Sequence, residues 1–224
     1  MADSEKRELT RGVIVEFDFT AVDGAQLLFE TAKSVLKKYG VDLTIKLEAL
    51  HLAGGNSQGA FAELFRKLGV QAEAAAVAKE VNEAFNAALT LQVAGAVTPA
   101  FKAFVKTLTD RGVKVVVATR ADIEVLKPAL EGLDVVPYAE VATTYGGCKW
   151  DAWRRACNSN SLVNVLTAAV TGSGHGVKSA LLAGLSAAAV IHPHVAYQDF
   201  GGSDVAVEAF SADLAKEVLV MLHL

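Results

Sequence analysis

Four short runs rich in β-branched residues, VIVEF (13–17), VKVVVA (113–118), VNVLTAAV (163–170) and AAAVI (187–191), are separated by stretches of helical periodicity. A weaker fifth run, YAEVATT, occupies 138–144. This pattern constrains the fold more than any other feature. A strand that is apolar at nearly every position must be covered on both faces, and apolar strands alternating with helices predict a parallel sheet between helical layers. The expected class is therefore α/β, a three-layer Rossmann-like core. In such sheets ligands sit beyond the carboxyl ends of the strands, which directs attention to the residues after Phe17, Ala118, Thr144, Val170 and Ile191.

The first and second runs are separated by residues 18–112, far more than an ordinary crossover needs. Most of that interval has helical spacing. AQLLFETAKSVLKKYG stops at Gly40, GAFAELFRKLG stops at Gly69, and AEAAAVAKEVNEAFNAALTLQ is a long alanine-rich helix; a glycine just past the last periodic residue is a common helix stop. The expected organisation is an α/β core formed by 1–23 and 95–224, with 24–94 inserted as a helical cap. Thr98-Pro99 marks the return into the next helix, proline being favoured at the first helical position.

Composition narrows the class of partner. A formal net charge of -4 and a pI near 5.7 provide no basic footprint for nucleic acid or an anionic membrane. The longest nearly apolar run, residues 179–191, is too short to span a bilayer and contains a glycine. The opening MADSEKRELTRG is charged and does not read as a secretory signal. Cys148 and Cys157 show no metal-type pairing, so a cytoplasmic, reducing compartment is expected.

A carboxylate at the tip of an apolar strand needs a reason, and GVIVEFDFTAVDG places Glu16 and Asp18 there. Three further features follow in order: Thr119 at the end of VKVVVAT, Lys149 in GGCK, and VTGSGHGVKSALLAGL after the fourth run. Together these motifs resemble the haloacid dehalogenase superfamily, specifically its capped phosphatase and phosphomutase group, and the resemblance runs from Arg11 to the end. It implies a nucleophile at position 16, a general acid and base at Asp18, and Thr119 and Lys149 positioning phosphate. Phe17, Thr20 and Arg120 join the implied phosphate site. Asn56, Ser57 and Gln58, in the polar turn between cap helices, become candidates for contacting substrate.

The departures from that pattern carry as much weight. The family's first aspartate is Glu16 here, and its proline after the loop lysine is Trp150. Phe19 stands where glycine is usual, and the late acidic position is filled by Thr171-Gly172. One extra methylene moves a carboxylate by roughly 1 Å, and a displacement of that size can cost on the order of 100-fold in rate. Magnesium is held by only one or two protein carboxylates with waters and phosphate. Glu16 and Asp18 without an acid at 172 therefore imply no metal or weak Mg²⁺. The resemblance so altered implies a catalytically impaired, hydrolase-like protein that keeps a pocket for a small phosphorylated molecule or anion, in a binding or regulatory role. The alternatives are an active Mg²⁺-dependent phosphomonoester hydrolase with Glu16 as nucleophile, and a subunit of an assembly or homo-oligomer packing through its alanine-rich helix. Recovery of turnover by Glu16→Asp with Gly172→Asp would support the impaired reading, and failure to recover it would leave the ancestry intact and the mechanism open.

Other motifs read more simply. GSGHGVKS resembles a nucleotide phosphate loop, yet Val177 separates glycine from lysine and the loop follows a late strand. His192 and His194 flank Pro193 and lack a third ligand at recognisable spacing, so loop packing is expected instead of zinc. His175 is expected to face solvent, and Trp150 and Trp153 to pack the helix after the lysine loop.

Overall fold

The computed structural model describes residues 10–52, 57–139 and 149–224. Six parallel strands form one sheet in the order β3-β2-β1-β4-β5-β6. They are β1 (Thr10–Glu16), β2 (Lys114–Ala118), β3 (Val135–Tyr138), β4 (Leu162–Thr171), β5 (Ser186–Val190) and β6 (Val205–Val207). The central strand β1 lies between β2 and β4, with Glu16 level with Ala118 on one side and Val15 level with Val170 on the other.

Successive strand residues point to opposite faces, and here each face has its own core. Val13, Val15, Val115, Val117, Ala168, Val170 and Val190 pack with α6 (Pro99–Thr109) and α10 (Ala212–Met221). Ile14, Val116, Ala169, Ala187 and Ala189 pack with α8 (Lys149–Ser159) and α9 (Gly174–Leu182). The second face is lined mostly by alanine, and that leaves room for Trp153, which is fully buried and donates from Nε1 to Ser179 Oγ at 2.9 Å. Cys157 lies in the same layer, where burial pushes its thiol up to about 11.

Between β1 and α6 run a single turn α1 (Phe17–Thr20) and the helices α2 (Gly24–Lys37), α3 (Ile45–His51), α4 (Gln58–Leu68) and α5 (Ala74–Gln92). The apolar faces of α2, α4 and α5 share one core with the sheet, through Leu28, Phe61, Leu64, Val81 and Phe85. Helix ends match local chemistry. Gly69 takes a left-handed φ of 67° at the end of α4, and Thr98 caps α6 by accepting from Phe101 N at 3.2 Å.

Two sequence expectations shift. A strand not expected from sequence forms at Val135–Tyr138, level with β2 and with Pro137 tolerated on the sheet edge; of the run expected at 138–144, positions 140–144 lie outside the described residues. The first run ends one residue earlier than expected, with Phe17 beginning α1. Among the described residues no helix is long and apolar enough to cross a membrane.

Candidate functional site

The turn after β1 is fixed by its own side chains. Thr20 Oγ1 donates to the carbonyl of Glu16 at 2.7 Å, and Asp23 caps α2 by accepting from Gln26 N at 3.2 Å. Gly24 is required by close approach, since a Cβ there would lie 2.1 Å from the carbonyl oxygen of Asp18. These contacts hold Glu16 and Asp18 at the carboxyl end of the sheet's central strand.

Three strands converge on the two carboxyl groups. From the end of β2, Thr119 Oγ1 donates to Asp18 Oδ1 at 2.6 Å, and the backbone amide of Arg120 donates to Oδ2 at 2.7 Å. From the end of β4, Thr171 Oγ1 donates to Glu16 Oε2. Glu16, Asp18, Thr119 and Thr171 are all fully buried. Burial pushes the Asp18 carboxyl up to about 6, against the opposing pull of Thr119, the Arg120 amide and the Arg120 charge.

The insertion closes over this centre. Phe19, only 6% exposed, stacks on Phe85 of α5 with ring centroids 6.0 Å apart. The Arg120 guanidinium lies over Phe85, 5.1 Å from its centroid, and donates from Nη2 to Asn82 Oδ1 at 3.0 Å. Asn82 and Phe85 were not singled out from sequence; the available signal was a polar residue and an aromatic residue three positions apart in an otherwise alanine-rich helix.

The remaining candidates divide. Phe17 is buried edge-on against Phe101 at 5.2 Å, so its side chain belongs to the core. The Thr20 hydroxyl is committed to the Glu16 carbonyl. Ser57 caps α4 by accepting from Ala60 N at 3.2 Å and Gln58 opens that helix, while Asn56 lies outside the described residues. Lys149 is the first residue of α8; its side chain, like Cys148, lies outside the description. His175 is exposed, and Lys178 pairs with Asp199 at 2.7 Å. The two histidines around Pro193 diverge. His192 Nε2 meets the carbonyl of Thr20 at 3.0 Å, and His194 Nε2 meets Glu48 Oε2 of α3 at 2.9 Å.

The late acidic position offers no space for an acid. A Cβ on Gly172 would lie 1.7 Å from the carbonyl oxygen of Phe19, and one on Gly176 would lie 1.9 Å from Thr171 Oγ1. A contact under about 3 Å to backbone cannot be absorbed by a side-chain rotation. A side chain at position 172 therefore requires α1 to move.

The chain matches the profile described as haloacid dehalogenase-like hydrolase over residues 13–190. A β-phosphoglucomutase from Clostridium difficile superposes with a TM-score of 0.69 at 11% identity, covering 96% of this chain and 100% of that one. CbbY from Rhodobacter sphaeroides in complex with phosphate gives a TM-score of 0.64 at 18% identity, covering 92% and 96%. A mutant CbbY from the same organism, in complex with xylulose-(1,5)bisphosphate, gives 0.64 at 19% identity over the same shares. At these identities the likeness concerns the fold. No curated protein matches the chain.

Proposed function

From the premise that this chain belongs to the haloacid dehalogenase-like hydrolase family, we propose that it is a catalytically impaired member that holds a small phosphorylated molecule or anion. The reading rests above all on one observation. Both carboxyl groups of the would-be catalytic pair are fully buried and engaged by the protein's own donors, Thr171 on Glu16 and Thr119 with the Arg120 amide on Asp18. A carboxylate oxygen that already accepts a protein hydrogen bond, as Glu16 Oε2 does, is a poorer nucleophile, and the hydroxyl of Thr119 is drawn away from an incoming phosphate. Magnesium is held weakly or not at all. Fold alone does not carry chemistry, so the structures of CbbY with phosphate and with a bisphosphate support the ligand class and nothing finer.

The anion would lie beyond the ends of β1 and β2, with Arg120 supplying positive charge. A second reading, an active phosphomonoester hydrolase, is favoured by Asp18 alone: a carboxyl near 6 is suited to proton transfer close to neutral pH. Calorimetric titration with inorganic phosphate in EDTA, run beside turnover of an aryl phosphate in Mg²⁺, separates the two. The impaired-binder reading expects saturable heat and negligible turnover; Mg²⁺-dependent turnover abolished by Glu16→Gln would overturn it.

A further inference from the structure

We infer that Glu16, Thr171, Gly172 and Gly176 act as one interdependent set, in which the Thr171 hydroxyl takes over the carboxylate at the tip of β1 and no acid can return to position 172 while α1 stays in place. The inference rests on the family reading of the site but not on any anion being bound there. Each member fits only because of another. The extra methylene of Glu16 carries its carboxyl outward to Thr171, where Oγ1 donates to Oε2 across 155 residues of sequence. Thr171 needs Gly176 opposite it, because any Cβ there would press to 1.9 Å from its hydroxyl oxygen. Gly172 in turn lets the carbonyl of Phe19 approach to a point where a Cβ would be 1.7 Å away. That approach seats the α1 turn, and the turn positions Asp18 for Thr119 and Arg120.

The family's chemistry implies a divalent cation at this centre, and the residues here do not fit one. Divalent magnesium needs open carboxylate oxygens at the rim of a wet site. Glu16 Oε2 and both oxygens of Asp18 already accept hydrogen bonds from protein groups, in a fully buried setting. The residues at 16, 171, 172 and 176 are thus matched to one another, and changing any single one breaks a contact instead of recovering a ligand.

Thermal unfolding in EDTA and in 10 mM MgCl2 tests this on the full chain, with Glu16→Asp, Thr171→Val, their double variant, Gly172→Ala and Gly172→Asp. The expected results are a wild-type Tm that magnesium leaves unchanged, single losses for Glu16→Asp and Thr171→Val that do not add in the double, and a lower Tm for Gly172→Ala. Alanine brings the steric conflict without charge, so the Gly172 test stands even where Gly172→Asp fails to fold. The inference is overturned by a saturable magnesium-dependent rise in wild-type Tm, by additive losses at 16 and 171, or by a Gly172→Asp protein that keeps the wild-type Tm and gains stability from magnesium. None of these readouts involves phosphate, so they succeed or fail independently of the binding reading above.

Discussion

Asp18 is a carboxyl whose surroundings favour the neutral form, its value raised from 3.8 to about 6 by burial. The linkage sign follows from that direction. The folded state binds the proton more tightly than the unfolded chain, so the stability this group contributes is complete below pH 3.8 and is lost as pH rises through about 6. Across that window the wild type is expected to lose about 3 kcal/mol relative to Asp18→Asn, read from urea unfolding of both proteins at intervals between pH 3.5 and 7. The identity of this residue was legible in the sequence, because DxT after an apolar strand is a compact pattern. Its partners were legible only in part. Thr119 ended a recognisable strand, but the commitment of its hydroxyl to Asp18 depends on two segments 101 residues apart. Thr171 read only as the loss of an acid, since nothing local reveals that a carboxylate 155 positions away will lean on it.

At the scale of single elements, the signals that proved readable were those written into a few adjacent residues. Thr98-Pro99 opened α6 as expected, and Thr98→Ala is expected to cost about 1 kcal/mol through the unmatched amide of Phe101, measured as a lowered urea midpoint with unchanged slope. Gly40 and Gly69 both adopt the positive φ that ends a helix, 76° and 67°. Elements that are short or held by distant partners escaped notice. The strand β6 is three residues long and exists because β5 templates it, with Ile191 N donating to Val207 O at 2.7 Å. Helix α3 has seven residues and no buried member, so its sequence lacks the apolar stripe that marked α2 and α4. The strand β4 runs longer than its apolar segment suggests. Gly12 pairs with Thr167 while Thr10 pairs with Leu162, so five steps along β4 answer two along β1, and Val165 is left 76% exposed.

Across the whole molecule, the loop after β5 ties the sheet to the insertion. His194 packs its ring 5.1 Å from Phe29 of α2 and joins Glu48 of α3, with side chains 8% and 12% exposed. Burial raises the Glu48 carboxyl and His194 counters that rise. Removing the histidine leaves a desolvated acid, so His194→Ala is expected to lose about 1–3 kcal/mol at pH 7. The loss should shrink in acid, as Glu48 takes up its proton, and amide exchange across Ile45–His51 should quicken at neutral pH.

The great sequence distance between Glu16 and Thr171 has a further consequence during synthesis. At ordinary elongation rates of roughly 5–20 residues per second, the ribosome needs about 8–30 s to deliver the threonine after the glutamate has been added. For that interval Glu16 is made while β4, which carries its partner Thr171, is not. Nascent chains of this protein are therefore expected to stay open and chaperone-dependent until β4 leaves the exit tunnel, and to close abruptly once it does.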